Sequence, residues 1–333
     1  MTLKVAINGF GRIGRSAMRM IVESYQGRIE IVALNASGGP EANAHLLKYD
    51  SVHGRFSGTV APVGENLMVN GQSVRLSAER DPARLEWDGI DLVLECTGAF
   101  NNKDAAMAHI NRGAKRVLCS GPAKGADKTV VYGVNHKVIT NKDRIISAAS
   151  CTTNCLAPVA MVLHNAIGID KGFMSTIHSY TGDQPTLDRR HKDPYRGRAA
   201  AMSIIPTTTG AAKAVGLVLP ELLGKLDGGA IRVPTPNVSV VDLNFNPVRK
   251  TSVEEINNLM QEAANGALMG VLAYDEEETV SIDYNHTDTA SNFAGLQTRV
   301  MGGDLARVFS WYDNEWGFTN QMLKTALVIG ETL

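Results

Sequence analysis

With only four cysteines in 333 residues, Cys96, Cys119, Cys151 and Cys155, the chain has little with which to staple or chelate. Their spacings suit no zinc site, and a chain this long buries a core without disulfides, so the expectation is a reducing, cytoplasmic compartment and no metal. Charge of one sign is scarce as well. The 33 Lys and Arg against 34 Asp and Glu leave a formal net charge of -1, mixed along the chain. Basic tracts interleaved with aromatics are absent, which argues against nucleic acid as a partner. No apolar run approaches the ~20 residues that cross a bilayer, and the first residues lead into an apolar strand without a charged leader, so no membrane is expected. Neither repeats nor low-complexity linkers occur. The length suits two ordinary globular domains.

What is present centres on Ser147-Ala-Ala-Ser-Cys-Thr-Thr-Asn-Cys-Leu-Ala-Pro158. The run Arg144-Ile-Ile-Ser147 is strand-like, Ser150 suits a helix cap, and Leu156 to Ile169 continues with helical apolar spacing. Cys151 therefore falls in or just before a first helical turn. Unpaired N–H groups and the dipole there favour a thiolate and can cradle an oxyanion on a carbonyl attacked by the sulfur. Position alone leaves a second reading, a small buried residue. Cys155, one turn later, has no terminus to activate it and reads as packing.

The beginning of the chain is more specific. Leu3–Asn8 reads as a buried strand, Gly9-Phe-Gly-Arg-Ile-Gly14 as a glycine-rich turn, the residues from Arg15 as a helix, and Ile29–Leu34 as a second strand. That β-α-β context is what a dinucleotide fingerprint requires, with Gly9, Gly11 and Gly14 allowing close backbone approach and Arg12-Ile13 in the pyrophosphate turn. The acid that should end the second strand and bind the ribose is missing. Asn35-Ala36-Ser37-Gly38-Gly39 stands there instead, leaving room for the 2′-phosphate of NADP; alternatively Asn35 bonds the ribose and NAD is used. Further alternation follows, with a strand over 90–97 and a glycine after it, a helix over 103–112 and a strand over 116–120. This predicts an α/β fold with a Rossmann doubly wound parallel sheet, whose crevice takes Arg80, Thr97, Gly98 and Ser120.

After residue 170 the texture changes. Phe173–Tyr180 alternates like an antiparallel strand, and Thr181–Arg198 has no apolar period, as suits a functional loop. Strands over 229–235, 238–245 and 305–312 and a helix over 252–265 predict an α+β second domain with a largely antiparallel sheet. The expected division is 1–150, rejoined by a C-terminal helix over 315–333, and 151–314.

Several ordered segments together resemble a known family: Asn8–Gly14, His45–Phe56, Ser150–Pro158, His178–Thr181, Ser203–Val215, Arg232–Asn237 and Trp311–Gly317. End to end, the chain resembles the phosphorylating glyceraldehyde-3-phosphate dehydrogenases. The resemblance implies that Cys151 attacks the aldehyde of glyceraldehyde 3-phosphate, hydride leaves to a nicotinamide, and inorganic phosphate cleaves the thioester to 1,3-bisphosphoglycerate. It makes His178 the base, and Thr181, Arg196, Thr209, Gly210 and Arg232 the anion-binding set, with Ser150 and Thr152 beside the thiol. Asn314 matches the position that holds the nicotinamide carboxamide. The resemblance also implies a homotetramer.

Departures bear on the cofactor. Where the family commonly has Leu-Pro in the polar loop, this chain has Arg189-Arg190. In the tetramer that loop approaches the neighbouring subunit's cofactor, so two guanidiniums opposite Ala36 and Ser37 predict a 2′-phosphate clamp. NADP is favoured, with NAD alternative or additional, and an NADP form would suit a biosynthetic direction. Solvent-exposed arginines at an interface are the plainer reading. Tyr195, Ala148 and Gly121 also differ from common family residues. The competing functions are an NAD-dependent glycolytic form, an erythrose-4-phosphate dehydrogenase, and a silent RNA-binding or scaffold member. Intact Cys151 and His178 argue against the last.

Overall fold

A computed structural model describes residues 2–333. The chain forms two compact units, one comprising residues up to 130, 136–149 and 322–333, the other 131–135 and 150–321.

The first unit is built on a nine-stranded sheet. Its elements are β1 (Leu3–Asn8), α1 (Arg12–Ser24), β2 (Ile29–Asn35), α2 (Pro40–Lys48), β3 (Tyr49–Asp50), β4 (Gly54–Arg55), β5 (Val60–Val63), β6 (Asn66–Val69), β7 (Gln72–Ser77), β8 (Leu92–Glu95), α3 (Lys103–Asn111), β9 (Arg116–Cys119), β10 (Lys128–Thr129) and β11 (Ile145–Ser147). The order is β10-β11-β9-β8-β1-β2-β7-β6-β5, parallel through β7 and antiparallel for the last two strands. The strand order reverses at β1, so the crevice beyond Asn8 lies at a topological switch point. Continuous apolar runs such as Leu92-Val-Leu bury both strand faces, as parallel strands require. Trp87, Ile90, Val93, Val117 and Ile145 form part of one core there. The β5–β7 meander and α2 were not anticipated. Pro62 sits on β5, where an edge strand tolerates a missing donor.

The second unit contains α4 (Cys151–Ile167), β12 (Ile169–Ser179), β13 (Ile205–Thr208), α5 (Ala211–Val218), β14 (Leu226–Val233), β15 (Ser239–Pro247), α6 (Val253–Asn265), β16 (Leu272–Asp275), β17 (Ser291–Ala294), β18 (Arg299–Met301) and β19 (Leu305–Tyr312). The sheet order is β13-β14-β12-β15-β19-β17-β16, with β18 beside β19. It is mostly antiparallel; β12 with β14 and β16 with β17 run parallel. Alternation along β12 turns Met174, Thr176 and His178 inward, each at most 5% exposed, and leaves Phe173 55% exposed. The final helix, α7 (Trp316–Glu331), is divided between the units at 321/322.

One boundary differs from the sequence reading. Helical spacing carried α4 to Ile169, but Gly168 adopts φ +72° and ends it at Ile167, so Ile169 already belongs to β12. Between Tyr180 and Ala199 there is no helix or strand, as the absent periodicity predicted.

Candidate functional site

In the first unit, Gly9 and Gly14 make the turn after β1 possible. Gly9 takes φ +95°, and a Cβ there would meet Thr97 N at 2.7 Å. A Cβ on Gly14 would lie 2.1 Å from the Gly9 carbonyl oxygen. Gly11, the residue before α1, has open space over it, so a ligand can meet the helix N-terminus there. The turn opens into a cleft of about 630 Å³. Of the residues expected to hold a dinucleotide, Gly9, Gly11, Asn35, Ala36, Ser37, Arg80 and Thr97 line it. Arg12, Ile13, Gly14, Gly98 and Ser120 do not. The Arg12 guanidinium is instead engaged by both carboxylate oxygens of Asp50, 3.0 Å at the longer contact.

Asn35 corrects one expectation. Its Nδ2 donates to Asn8 Oδ1 at 2.7 Å and to the Glu79 carbonyl at 2.8 Å, while its Oδ1 accepts from Ser77 Oγ at 3.0 Å and Glu79 N at 2.9 Å. All four hydrogen-bonding positions of the amide are taken, so the side chain has none left for a ribose hydroxyl. The chain of bonds continues inward. Asn8 Nδ2 donates to Glu95 Oε2 at 2.5 Å, His109 Nε2 lies 3.0 Å from the same oxygen, and Trp87 Nε1 donates to His109 Nδ1 at 2.9 Å. Sequence reasoning missed this buried network, since its members span 101 positions from Asn8 to His109 and none belongs to a motif beyond Asn8.

In the second unit, Cys151 is the first residue of α4. Ser150 caps the helix, its Oγ accepting from Thr153 N at 3.0 Å. Ala149, just before, holds φ +57°, a left-handed conformation that costs an alanine about 1 kcal/mol. Cys151 Sγ lies 3.5 Å from His178 Nε2. His178 Nδ1 lies 2.8 Å from the Ser179 carbonyl; donating to it assigns the tautomer whose Nε2 lone pair faces the thiol. Arg232 Nη1 donates to that carbonyl at 2.8 Å and to Thr181 Oγ1 at 3.2 Å, which brings it within 3.1 Å of Nδ1.

The electrostatics add burial to the helix terminus as an influence on the thiol. Burial pushes the Cys151 thiol up, against the Arg232 charge and the Thr152 N–H, which pull it down. Burial and the Arg232 charge push the His178 imidazole down to about 3. Each charge taken singly is therefore disfavoured, and the arrangement suits proton transfer from sulfur to nitrogen at the moment of attack.

The groups expected to bind anions gather beside this pair. Arg232 has a buried Nε with no partner, and burial followed by the Arg196 charge lowers its pKa. Arg196 donates to Thr207 Oγ1 at 3.0 Å and reaches Asp183 at 3.4 Å, and Thr181 Oγ1 donates to the same carboxylate. Thr209 Oγ1 accepts from Ala211 N at the start of α5, and Gly210 has open space around it. Thr153 Oγ1 touches the Ala211 carbonyl at 3.4 Å, so the starts of α4 and α5 adjoin. Arg189 and Arg190 are exposed, the Arg189 N–H donating to the Gly197 carbonyl at 2.9 Å, and among the described residues their side chains have no partner.

Asn314 was expected; the residues that aim it were not. Ser179 Oγ and Ser239 Oγ donate to its Oδ1 at 2.9 and 2.8 Å, leaving Nδ2 as an open donor suited to a carbonyl. Val238 takes φ +67°, an outlier for a β-branched residue, immediately before Ser239.

Comparison with known proteins matches two stretches of the chain. Residues 3–103 match the family described as "Glyceraldehyde 3-phosphate dehydrogenase, NAD binding domain", and residues 150–314 match its C-terminal domain. The chain is 60% identical to the glyceraldehyde-3-phosphate dehydrogenase of Cereibacter sphaeroides across 100% of both chains. It is 60% identical to that of Xanthobacter flavus across 99% of each, and 53% identical to that of Geobacillus stearothermophilus across 99% of this chain and 98% of the other.

Proposed function

The chain belongs to the family of phosphorylating glyceraldehyde-3-phosphate dehydrogenases, and from that premise we propose that it works through a Cys151 thioester with NADP favoured over NAD. The observation that carries the thiol reading is the placement of Cys151 at the start of α4, 3.5 Å from His178 Nε2, beside the partly orphaned guanidinium of Arg232.

In this reading Cys151 Sγ attacks the aldehyde carbon as its proton passes to His178 Nε2, and the first-turn N–H groups of α4 receive the developing oxyanion. A bound nicotinamide dinucleotide supplies the hydride acceptor. Inorganic phosphate then attacks the acyl carbon, the carbon–sulfur bond breaks, and the acyl phosphate leaves a free thiol. Arg232, Thr181 and Arg196 hold one phosphate, and Thr209 with Gly210 the other. The open space over Gly11 at the start of α1 fits a pyrophosphate, and the uncharged Ala36 and Ser37 in the cleft fit a 2′-phosphate. Asn314 Nδ2 is the donor available to a carboxamide.

Two further readings rest on narrower support. The unpartnered side chains of Arg189 and Arg190 suit a clamp supplied to a neighbouring subunit. A homotetramer is supported by the uncovered sheet face, where Phe173 and Ile231 are both exposed apolar residues of paired strands. Among the described residues no helix is long and apolar enough to cross a membrane, and a reducing compartment, which keeps the four cysteines as thiols, fits a cytoplasmic location.

The test is the ratio of kcat/KM for NADP and NAD with glyceraldehyde 3-phosphate, measured with and without inorganic phosphate. Phosphate-dependent turnover favouring NADP supports the whole reading. A clear NAD preference retains the thiol chemistry and discards the clamp, and turnover indifferent to phosphate discards the acyl-transfer step.

A further inference from the structure

Tyr312, the last residue of β19, takes no part in the chemistry above, yet it is 1% exposed and reaches both elements that carry the thiol and the imidazole. Its Oη lies 2.9 Å from Thr152 Oγ1 and 2.9 Å from Thr176 Oγ1. Thr152 follows Cys151 in the first turn of α4. Thr176 precedes His178 by two positions on β12 and so shares its face of the sheet. The phenol ring also meets the imidazole edge to face, with centroids 5.9 Å apart at 80°. One side chain thus bridges α4 to β12 at the level of the reacting pair and packs against one member of it. A phenol can donate to one threonine while accepting from the other, so both arms of the bridge are made at once.

We propose that Tyr312 is a positioning residue that sets the separation of Cys151 Sγ from His178 Nε2, and with it the ease of proton transfer between them. The inference rests on the thiol reading of the site. Proton transfer falls off steeply once the heavy atoms part beyond hydrogen-bond reach, and the pair stands near that limit at 3.5 Å. The titratable groups facing the thiol are His178 from β12, Arg232 from β14, Tyr312 from β19 and Cys155 from α4; Asp183 and Arg196 act on His178 from the 180–199 loop. None of these other than Tyr312 ties α4 to β12 through hydrogen bonds at both ends.

The test is Tyr312→Phe, which keeps the ring and removes the bridge. Two quantities are read: the pH profile of Cys151 alkylation by iodoacetamide, and kcat and KM for glyceraldehyde 3-phosphate. The expected result is alkylation slowed about tenfold at neutral pH with its profile moved to higher pH, and kcat lowered about tenfold with KM within about twofold. Thr176→Val should reproduce the effect, Thr176→Ser should restore wild-type values, and the double variant Tyr312→Phe/Thr176→Val should be no worse than the more impaired single variant. A wild-type alkylation profile and kcat in Tyr312→Phe, with only Tm lowered, would make the phenol a core filler and overturn the proposal. Should Tyr312→Phe fail to fold, Thr176→Val carries the same contrast, and a wild-type profile there overturns it equally. Cys151→Ser separates the two levels. Phosphate-dependent turnover surviving in Cys151→Ser overturns the thiol reading together with the proposal, whereas loss in Cys151→Ser beside an unchanged Tyr312→Phe overturns the proposal alone.

Discussion

His178 makes a quantitative demand on stability. Its imidazole is pushed from 6.5 down to about 3 by burial and by Arg232, and it is only 5% exposed. In the unfolded chain the same group titrates at its ordinary value, so between those limits the unfolded state binds the extra proton. A depressed histidine pKa therefore contributes stability that is fully present above 6.5 and is lost as pH falls towards about 3. At about pH 5 the unfolded imidazole is almost wholly protonated and the folded one is not, a penalty of about 2 kcal/mol. His178→Asn removes the titration. The stability difference between wild type and variant should therefore change by about 2 kcal/mol between neutral pH and about pH 5, a relative shift of roughly 5 °C in the transition of the second unit. Urea unfolding of both proteins at a series of pH values, in a Cys151→Ala background that removes the thiol proton, reads this directly. Parallel curves for the two proteins would refute the reasoning, because the folded imidazole would then protonate as freely as the unfolded one.

Replacing Arg189 and Arg190 with Ala together should reduce kcat/KM for NADP by about tenfold or more while sparing NAD, given that a guanidinium–phosphate contact contributes on the order of 1 kcal/mol or above; equal losses for both cofactors would exclude the clamp. Gly14→Ala places a methyl against the Gly9 carbonyl, 2.1 Å from it, and should cost about 1–3 kcal/mol and abolish dinucleotide binding by calorimetry. Binding within about twofold of wild type would show that the turn yields. Ser150→Ala should lower stability by about 1 kcal/mol and Ser150→Gly by only a few tenths, because both lose the bond to Thr153 N but glycine suits the cap backbone. The reverse order in a denaturant titration would count against capping as the role of that hydroxyl.

Much of this molecule was legible because local rules agree with one another. β1, the glycine turn, α1 and β2 carry hydrophobic period, turn chemistry and helix start in sequence, and Cys151 falls at its helix start because Ser150 caps it. The end of α4 was misplaced because Ile169 satisfies a helical and a strand pattern equally; Gly168 was the signal that decides. The meander over β5–β7 went unread, although Asn70-Gly71, both with positive φ, stands at its second turn. Tyr312 was less accessible. Its partners Thr152 and Thr176 lie 160 and 136 positions away, and only the folded sheet brings the three hydroxyls together. The thiol's electrostatics were only half legible for a related reason. A sequence displays a helix terminus, but the burial that opposes its effect is a property of the packed chain.

Asn35 separates two jobs that many dinucleotide folds assign to adjoining residues at the end of the second strand. By spending its whole amide on Asn8, Ser77 and Glu79, it anchors β2 to its neighbours from within. Ala36 is held to β7 only through its backbone, by a bond from its N–H to the Ser77 carbonyl. The side chains at 36 and 37 are thereby released from any duty to the scaffold. Substitutions at those two positions can therefore reshape the lining of the cleft without the strand end coming loose.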